Sequence, residues 1–140
     1  MTIYNIVLDG IDKTGKDTIR QYIFHLGNAK YICTTRGYIS MVAYSKLFNR
    51  DYDYDIENQK NTLNVLITAD KADWEVRCKM TNEPRIDYDI HSKVFDEVFT
   101  QLRLKGYYTI MFNSSHHTPY EIAISIINYA NKLNELQGGK

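Results

Sequence analysis

The stretch NIVLDGIDKTGKDTIRQYI, residues 5–23, decides how the rest of the chain is read. The run at its start, with Ile3 and Tyr4 before it, is rich in β-branched and aromatic residues and stops at Asp9-Gly10, after which Ile19, Ile23 and Leu26 recur at helical spacing. This predicts a strand over residues 3–8, a loop, and a helix ending at Gly27, a residue suited to the turn past a helix C-terminus. In the loop, GIDKTGKD matches G-x-x-x-x-G-K-[ST] except at its last position, where Asp17 stands in place of the hydroxyl that normally holds magnesium. Glycines there let backbone N–H groups turn toward phosphate oxygens, the helix N-terminus adds partial positive charge, and Lys16 reaches the terminal phosphates. A carboxylate at position 17 adds negative charge beside a polyphosphate, yet it can itself ligate a hard cation. Lys13 and Arg20 offer compensating charge, while Thr18 points about 100° further round the helix and is no direct substitute. Two readings stay open: a working nucleotide site, and a loop that binds weakly or not at all.

Working outward, KYICTT (residues 30–35) predicts a second strand, and the parallel βαβ unit is the natural closure. Met41, Val42, Tyr44, Leu47 and Phe48 give a short helical pattern, broken by the acidic, tyrosine-rich segment at residues 49–61, read as an exposed loop. LNVLITAD (63–70) predicts a third strand, with Asp70 as N-cap of a helix through Trp74 and Val76 to about Met80. Residues 82–88, with Pro84, interrupt the pattern; residues 71–88 together form a lid-like region. Asp89 is the expected N-cap of a helix with Val94, Val98 and Leu102 on one face, ended by Gly106, and YYTIMF (107–112) predicts a fourth strand. TPYE then sets Thr118 at N-cap, Pro119 at N1 and Glu121 at N3, a capping box opening a helix with Ile122, Ile126, Ala130 and Leu133 inward. One α/β domain over residues 1–136 follows, with a parallel sheet between helices on both faces and a disordered tail at 137–140.

At 140 residues the chain is the size of one domain and buries roughly two thirds of its unfolded surface. Lys plus Arg balances Asp plus Glu at 17 each, so no overall field recruits nucleic acid, and an anion site has to be built locally. Cys33 and Cys78 lack metal spacing, and no apolar run exceeds strand length, which leads to the expectation of a reduced, cytoplasmic protein that does not enter a membrane.

With these elements in place the chain resembles the thymidylate kinase family of P-loop nucleoside monophosphate kinases. LDGIDKTGKDT is similar to that family's phosphate loop: Asp9 matches the acidic residue at the strand end, Asp12 the carboxylate that accepts the sugar 3′-hydroxyl, and Lys13 a basic residue supporting phosphoryl transfer in some branches. TTRGYISMVAY (34–44) is similar to the D-R-x-x-x-S-x-x-A-Y segment, so that Arg36 would meet the acceptor phosphate beside Ser40 and Tyr44, with Thr35 at the position of the family aspartate. VLITADKADWEVRCKM (65–80) is similar to a strand and the helix carrying the lid arginine, here Arg77, with Lys79 and Arg85 following; MFNSSHHTPYEI looks like the last strand and the loop that packs on adenine. The family's strand and helix that carry a base-stacking Phe and a phosphate-contacting Arg have no counterpart here; only residues 49–60 are a candidate replacement.

The resemblance implies a P-loop NTPase three-layer α/β/α sandwich with a reduced sheet of about four parallel strands, ordered 3-1-4-5 in the family's terms. It implies an ATP-dependent kinase acting on a deoxynucleoside monophosphate with Mg²⁺ as cofactor. Lys16, Lys13, Arg36 and Arg77 would be catalytic, and Gly10, Asp12, Lys13, Thr14, Gly15, Lys16, Asp17 and Thr18 would bind ATP phosphates. Asp12, Arg36, Ser40 and Tyr44 would bind the monophosphate, with the metal on Asp17 or Asp9. The alternative is a non-catalytic, phage-type protein that keeps the kinase fold to bind a host or replication partner in the host cytoplasm; a homodimer is compatible with either. His116-His117 is read as exposed loop and Trp74 as core.

Overall fold

The computed structural model describes residues 2–11, 13–27, 30–51, 55–81 and 86–138. Four strands, β1 (Asn5–Asp9), β2 (Ile32–Thr35), β3 (Thr62–Thr68) and β4 (Thr109–Asn113), form one all-parallel sheet in the order β2-β1-β3-β4, the order the resemblance implies. Five helices accompany them: α1 (Lys16–Leu26), α2 (Tyr38–Leu47), α3 (Lys71–Thr81), α4 (Tyr88–Leu104) and α5 (Pro119–Gly138).

Parallel strands alternating with helices bury both faces of the sheet. On one face Ile6, Leu8, Leu63, Val65 and Ile67 pack under Ile19 and Ile23 of α1 and Ile122, Ile126 and Ala130 of α5. On the other, Leu66 lies under Ile39, Val42 and Ala43 of α2, Trp74 and Cys78 of α3, and Phe95, Val98, Phe99 and Leu102 of α4. Trp74 is therefore a core side chain, 3% exposed and tilted against Tyr88. The arrangement has helix, sheet and helix layers, with β2 and β4 as the more exposed edges.

Several boundaries differ from the sequence expectation, each for a local reason. β1 starts at Asn5 because its partner β3 begins opposite it at Thr62, while the Ile3 backbone is held by the Asn134 side chain of α5 (2.6 and 3.1 Å). Asp87, not Asp89, caps α4, accepting from Ile90 N (3.1 Å), because Asp89 pairs instead with Lys71 (2.8 Å). Asp70 caps no helix with its side chain; its carboxylate accepts from Asn113 and pairs with His116, and its carbonyl takes the Trp74 N–H. Within the expected exposed loop, Asp55 caps a 3-10 turn at Ile56–Gln59, and Gln59 is buried. α5 runs to Gly138, so residues 137 and 138 of the expected disordered tail are helical; residues 139–140 lie outside the described residues. The capping box opens α5 as expected, with Glu121 N donating to Thr118 Oγ1 (3.1 Å) and Thr118 N to Glu121 Oε1 (2.9 Å). Among the described residues, no helix is long and apolar enough to cross a membrane.

Candidate functional site

All four strands end on the same edge of the sheet, and the connections from β1 and its neighbours diverge there, the position where open parallel sheets bind ligands. The Gly10–Gly15 loop leaves β1 at this edge. Gly10 (φ 151°), Lys13 (φ 69°) and Gly15 (φ 90°) all have positive φ, which folds the chain back on itself. Thr14 is fully buried and closes the turn by donating from Oγ1 to the Ile11 carbonyl (3.0 Å). Gly15 is the left-handed N-cap of α1 and provides no side-chain acceptor, so the first-turn N–H groups have no side-chain cap.

Lys16 turns back into the loop. Its ammonium donates to the Gly10 (2.7 Å) and Ile11 (2.8 Å) carbonyls and the residue is only 9% exposed, so a cation is fixed where the loop curls. Lys13, Thr14, Gly15, Asp17, Thr18, Thr35 and Arg36 complete a cleft of about 660 Å³ around it. Asp17 and Thr18 are exposed on the first turn of α1. From the far side Arg77 of α3 donates to the Lys13 carbonyl (2.8 Å) and to Ser114 Oγ (3.3 Å), which itself donates to the Thr68 carbonyl (3.0 Å). Loop, α3 and the ends of β3 and β4 are thereby joined through one guanidinium.

Asp9, at the end of β1, is fully buried behind the loop. Its Oδ1 accepts from Gly37 N (2.7 Å), Ser40 N (3.2 Å) and Ser40 Oγ (2.5 Å), while Oδ2 has no hydrogen-bond partner among the described residues. Burial pushes the carboxyl above its ordinary 3.8; the Ser40 and Gly37 donors and the Lys16 charge act the other way. A group that keeps its proton in the fold where the unfolded chain has released it stabilises the fold most at acid pH, and that contribution is lost as pH rises through the folded value. Asp9→Asn is therefore expected to flatten the decline in unfolding free energy above about pH 4, read from urea melts at acid and neutral pH. Parallel profiles for the two proteins would remove the assigned cause.

The unpartnered Asp9 Oδ2 is a suitable oxygen for a hard cation. Magnesium is commonly held by one or two carboxylates and substrate phosphates with several waters, so the absence of a cluster of three ligating side chains among the described residues is no obstacle. Asp17, on the first turn of α1, is the carboxylate that lines the cleft.

Arg36 (φ 64°) continues the ladder by donating its N–H to the Leu8 carbonyl (3.1 Å), and it borders a second cleft as well as the first. This second cleft, about 540 Å³, runs along α2 past Ser40 and Tyr44 to Phe48, with Arg50, Ile86 and His91 completing it. Ser40 is buried and directs its hydroxyl to Asp9, so its first task is to position that carboxylate. Asp12 and Arg85 lie outside the described residues. Sequence reasoning missed Phe48, Arg50 and His91, which carry no motif and meet only when α2 and α4 pack. It also missed the Asp70–His116 pair (3.0 Å), in which the Asn113 amide and then His116 hold the Asp70 carboxyl below its ordinary value. No protein-family model matches the chain, and no curated protein matches it.

Proposed function

We propose that the protein is a compact nucleoside monophosphate kinase that transfers the ATP γ-phosphoryl group to a deoxynucleoside monophosphate. The observation that carries this reading is the meeting of two clefts at Arg36, one around the Lys16 loop and one along α2. Phosphoryl transfer needs positioning and charge stabilisation more than covalent chemistry, and such a junction supplies both. In this reading Lys16 and the amides of residues 13–17 hold the donor phosphates. Arg36 orients the acceptor phosphate, and Asp12 receives its sugar hydroxyl. Lys13 lines the donor cleft, and Arg77, whose guanidinium holds the Lys13 carbonyl from the far side, would act with it to stabilise the charge that builds up on the transferring group. Asp17, or the Asp9 oxygen left without a partner, would hold magnesium bound with ATP, and the ion would supply neutralisation of phosphate charge.

The second reading, a non-catalytic kinase-fold binding protein, is favoured by Asp17 at the hydroxyl position and Thr35 at the position of the family aspartate. Calorimetric titration with ATP and ADP, with and without magnesium, separates the two. The kinase reading expects magnesium-dependent binding in the micromolar range followed by transfer to a monophosphate; no binding at millimolar nucleotide removes it. Asp17→Ser adds direction. In an enzyme adapted to the carboxylate it lowers activity, whereas in a decayed loop it raises ATP affinity.

A further inference from the structure

The second cleft has a chemical character of its own. Its lining runs from Arg36, just ahead of the helix, past Ser40 and Tyr44, four residues apart on one side of α2, to Phe48 at the C-cap. The far end is an aromatic box. The Tyr44 and Phe48 rings stack, with centroids 5.8 Å apart and planes 13° apart, and the His91 ring from α4 meets both edge-on at 6.3 and 6.0 Å. Phe48 is half exposed, and the Arg50 guanidinium lies 5.1 Å from its centroid.

His91 makes this box more than an apolar patch. The residue is only 7% exposed, it lines the cleft, and its Nδ1 is buried with no hydrogen-bond partner among the described residues. A buried ring nitrogen without a partner is costly, and a ligand that brings a polar edge as well as a flat face relieves that cost. An aliphatic ligand brings neither. A nucleobase brings both, and the guanidinium at the opposite end of the cleft matches the phosphate on the same molecule.

We propose that the box formed by Tyr44, Phe48 and His91 is the nucleobase subsite of a free mononucleotide whose phosphate lies at Arg36, with Phe48 supplying the stacking face and His91 Nδ1 reading the base edge. This deepens the kinase reading and rests on it for the assignment of the phosphate end. Of the three box residues only Tyr44 falls within a motif match; Phe48, at the C-cap of α2, and His91, on α4, lie outside them. The balanced net charge favours a mononucleotide over a nucleic-acid chain as the source of the base.

The test titrates the full chain with each of the four deoxynucleoside 5′-monophosphates, with deoxyribose 5-phosphate, and separately with ATP. The expected result is that at least one mononucleotide binds about tenfold or more tightly than the abasic sugar phosphate, as base–aromatic stacking requires. Phe48→Ala should weaken the mononucleotides about tenfold and leave the sugar phosphate and ATP unaffected, since Phe48 is half exposed and its loss opens no core cavity. His91→Phe keeps a ring and removes the nitrogen; it should compress the ranking among the four bases without changing the affinity for the sugar phosphate. Equal binding of sugar phosphate and mononucleotides, indifference to both substitutions, or no mononucleotide binding at millimolar concentration overturns the subsite. Failure of the kinase reading looks different: base-dependent binding sensitive to Phe48 persists, but ATP does not bind or no phosphoryl group is transferred.

Discussion

Lys16→Ala is expected to lower ATP affinity by about ten- to a hundredfold and to reduce phosphoryl transfer at least as far. A charge-assisted hydrogen bond contributes about 1.5–3 kcal/mol, and each 1.4 kcal/mol is a factor of ten. The effect is large because the ammonium is placed in advance: its donation to the Gly10 and Ile11 carbonyls at 2.7 and 2.8 Å holds it within the loop before any ligand arrives. The cost to the fold should be smaller, since the two carbonyls can turn toward solvent in the open cleft, although Asp9 loses its nearest favourable charge. Calorimetry with ATP reads the first effect and a thermal melt the second. Unchanged ATP affinity in a folded variant would remove Lys16 from the site.

Gly10→Ala is expected to destabilise the protein by about 3 kcal/mol or more, combining backbone strain with forced overlap. A Cβ at this position would stand 2.3 Å from the Ile67 carbonyl oxygen, at a φ of 151° that side chains rarely adopt. Ile67 belongs to the central strand β3 and is paired in register with Phe112 of β4, so its carbonyl cannot retreat without disturbing the sheet. Gly15→Ala is the internal control. Its φ of 90° is also unfavourable, but nothing lies within 4 Å of the added carbon, and about 1–2 kcal/mol of conformational cost is expected. Melting temperatures should fall by roughly 10 °C for Gly10→Ala and by roughly 3–7 °C for Gly15→Ala. Equal losses would mean that contact with β3 is not what requires glycine at position 10.

Features fixed by neighbours in the sequence could be read before the structure. The α5 capping box depends on two residues three positions apart, and the loop on spacing between a strand and a helix. The strand order came from the resemblance, not from any pattern within the strands. Features decided by competition between distant groups were not legible. Asp89 is the cap read from the sequence, but Lys71, eighteen residues earlier, engages its carboxylate and Asp87 caps the helix instead. Asp70 has an ideal N-cap position, but Asn113 and His116, far along the chain, take its carboxylate. The aromatic box is a product of packing alone, since Phe48 at the C-cap of α2 and His91 on α4 have no spacing rule between them.

The guanidinium that ties the Lys13 carbonyl to α3 also bears on biosynthesis. The contact spans 64 positions of sequence, whereas the loop motif itself is finished by Asp17. Closing so long a segment carries an entropic cost that only docking of α3 can offset, which makes the final geometry of the loop a non-local and therefore late event. A chain emerging from the ribosome presents its entire glycine-rich signature long before Arg77 has been synthesised, and during that interval it has the letters of a phosphate site without the brace.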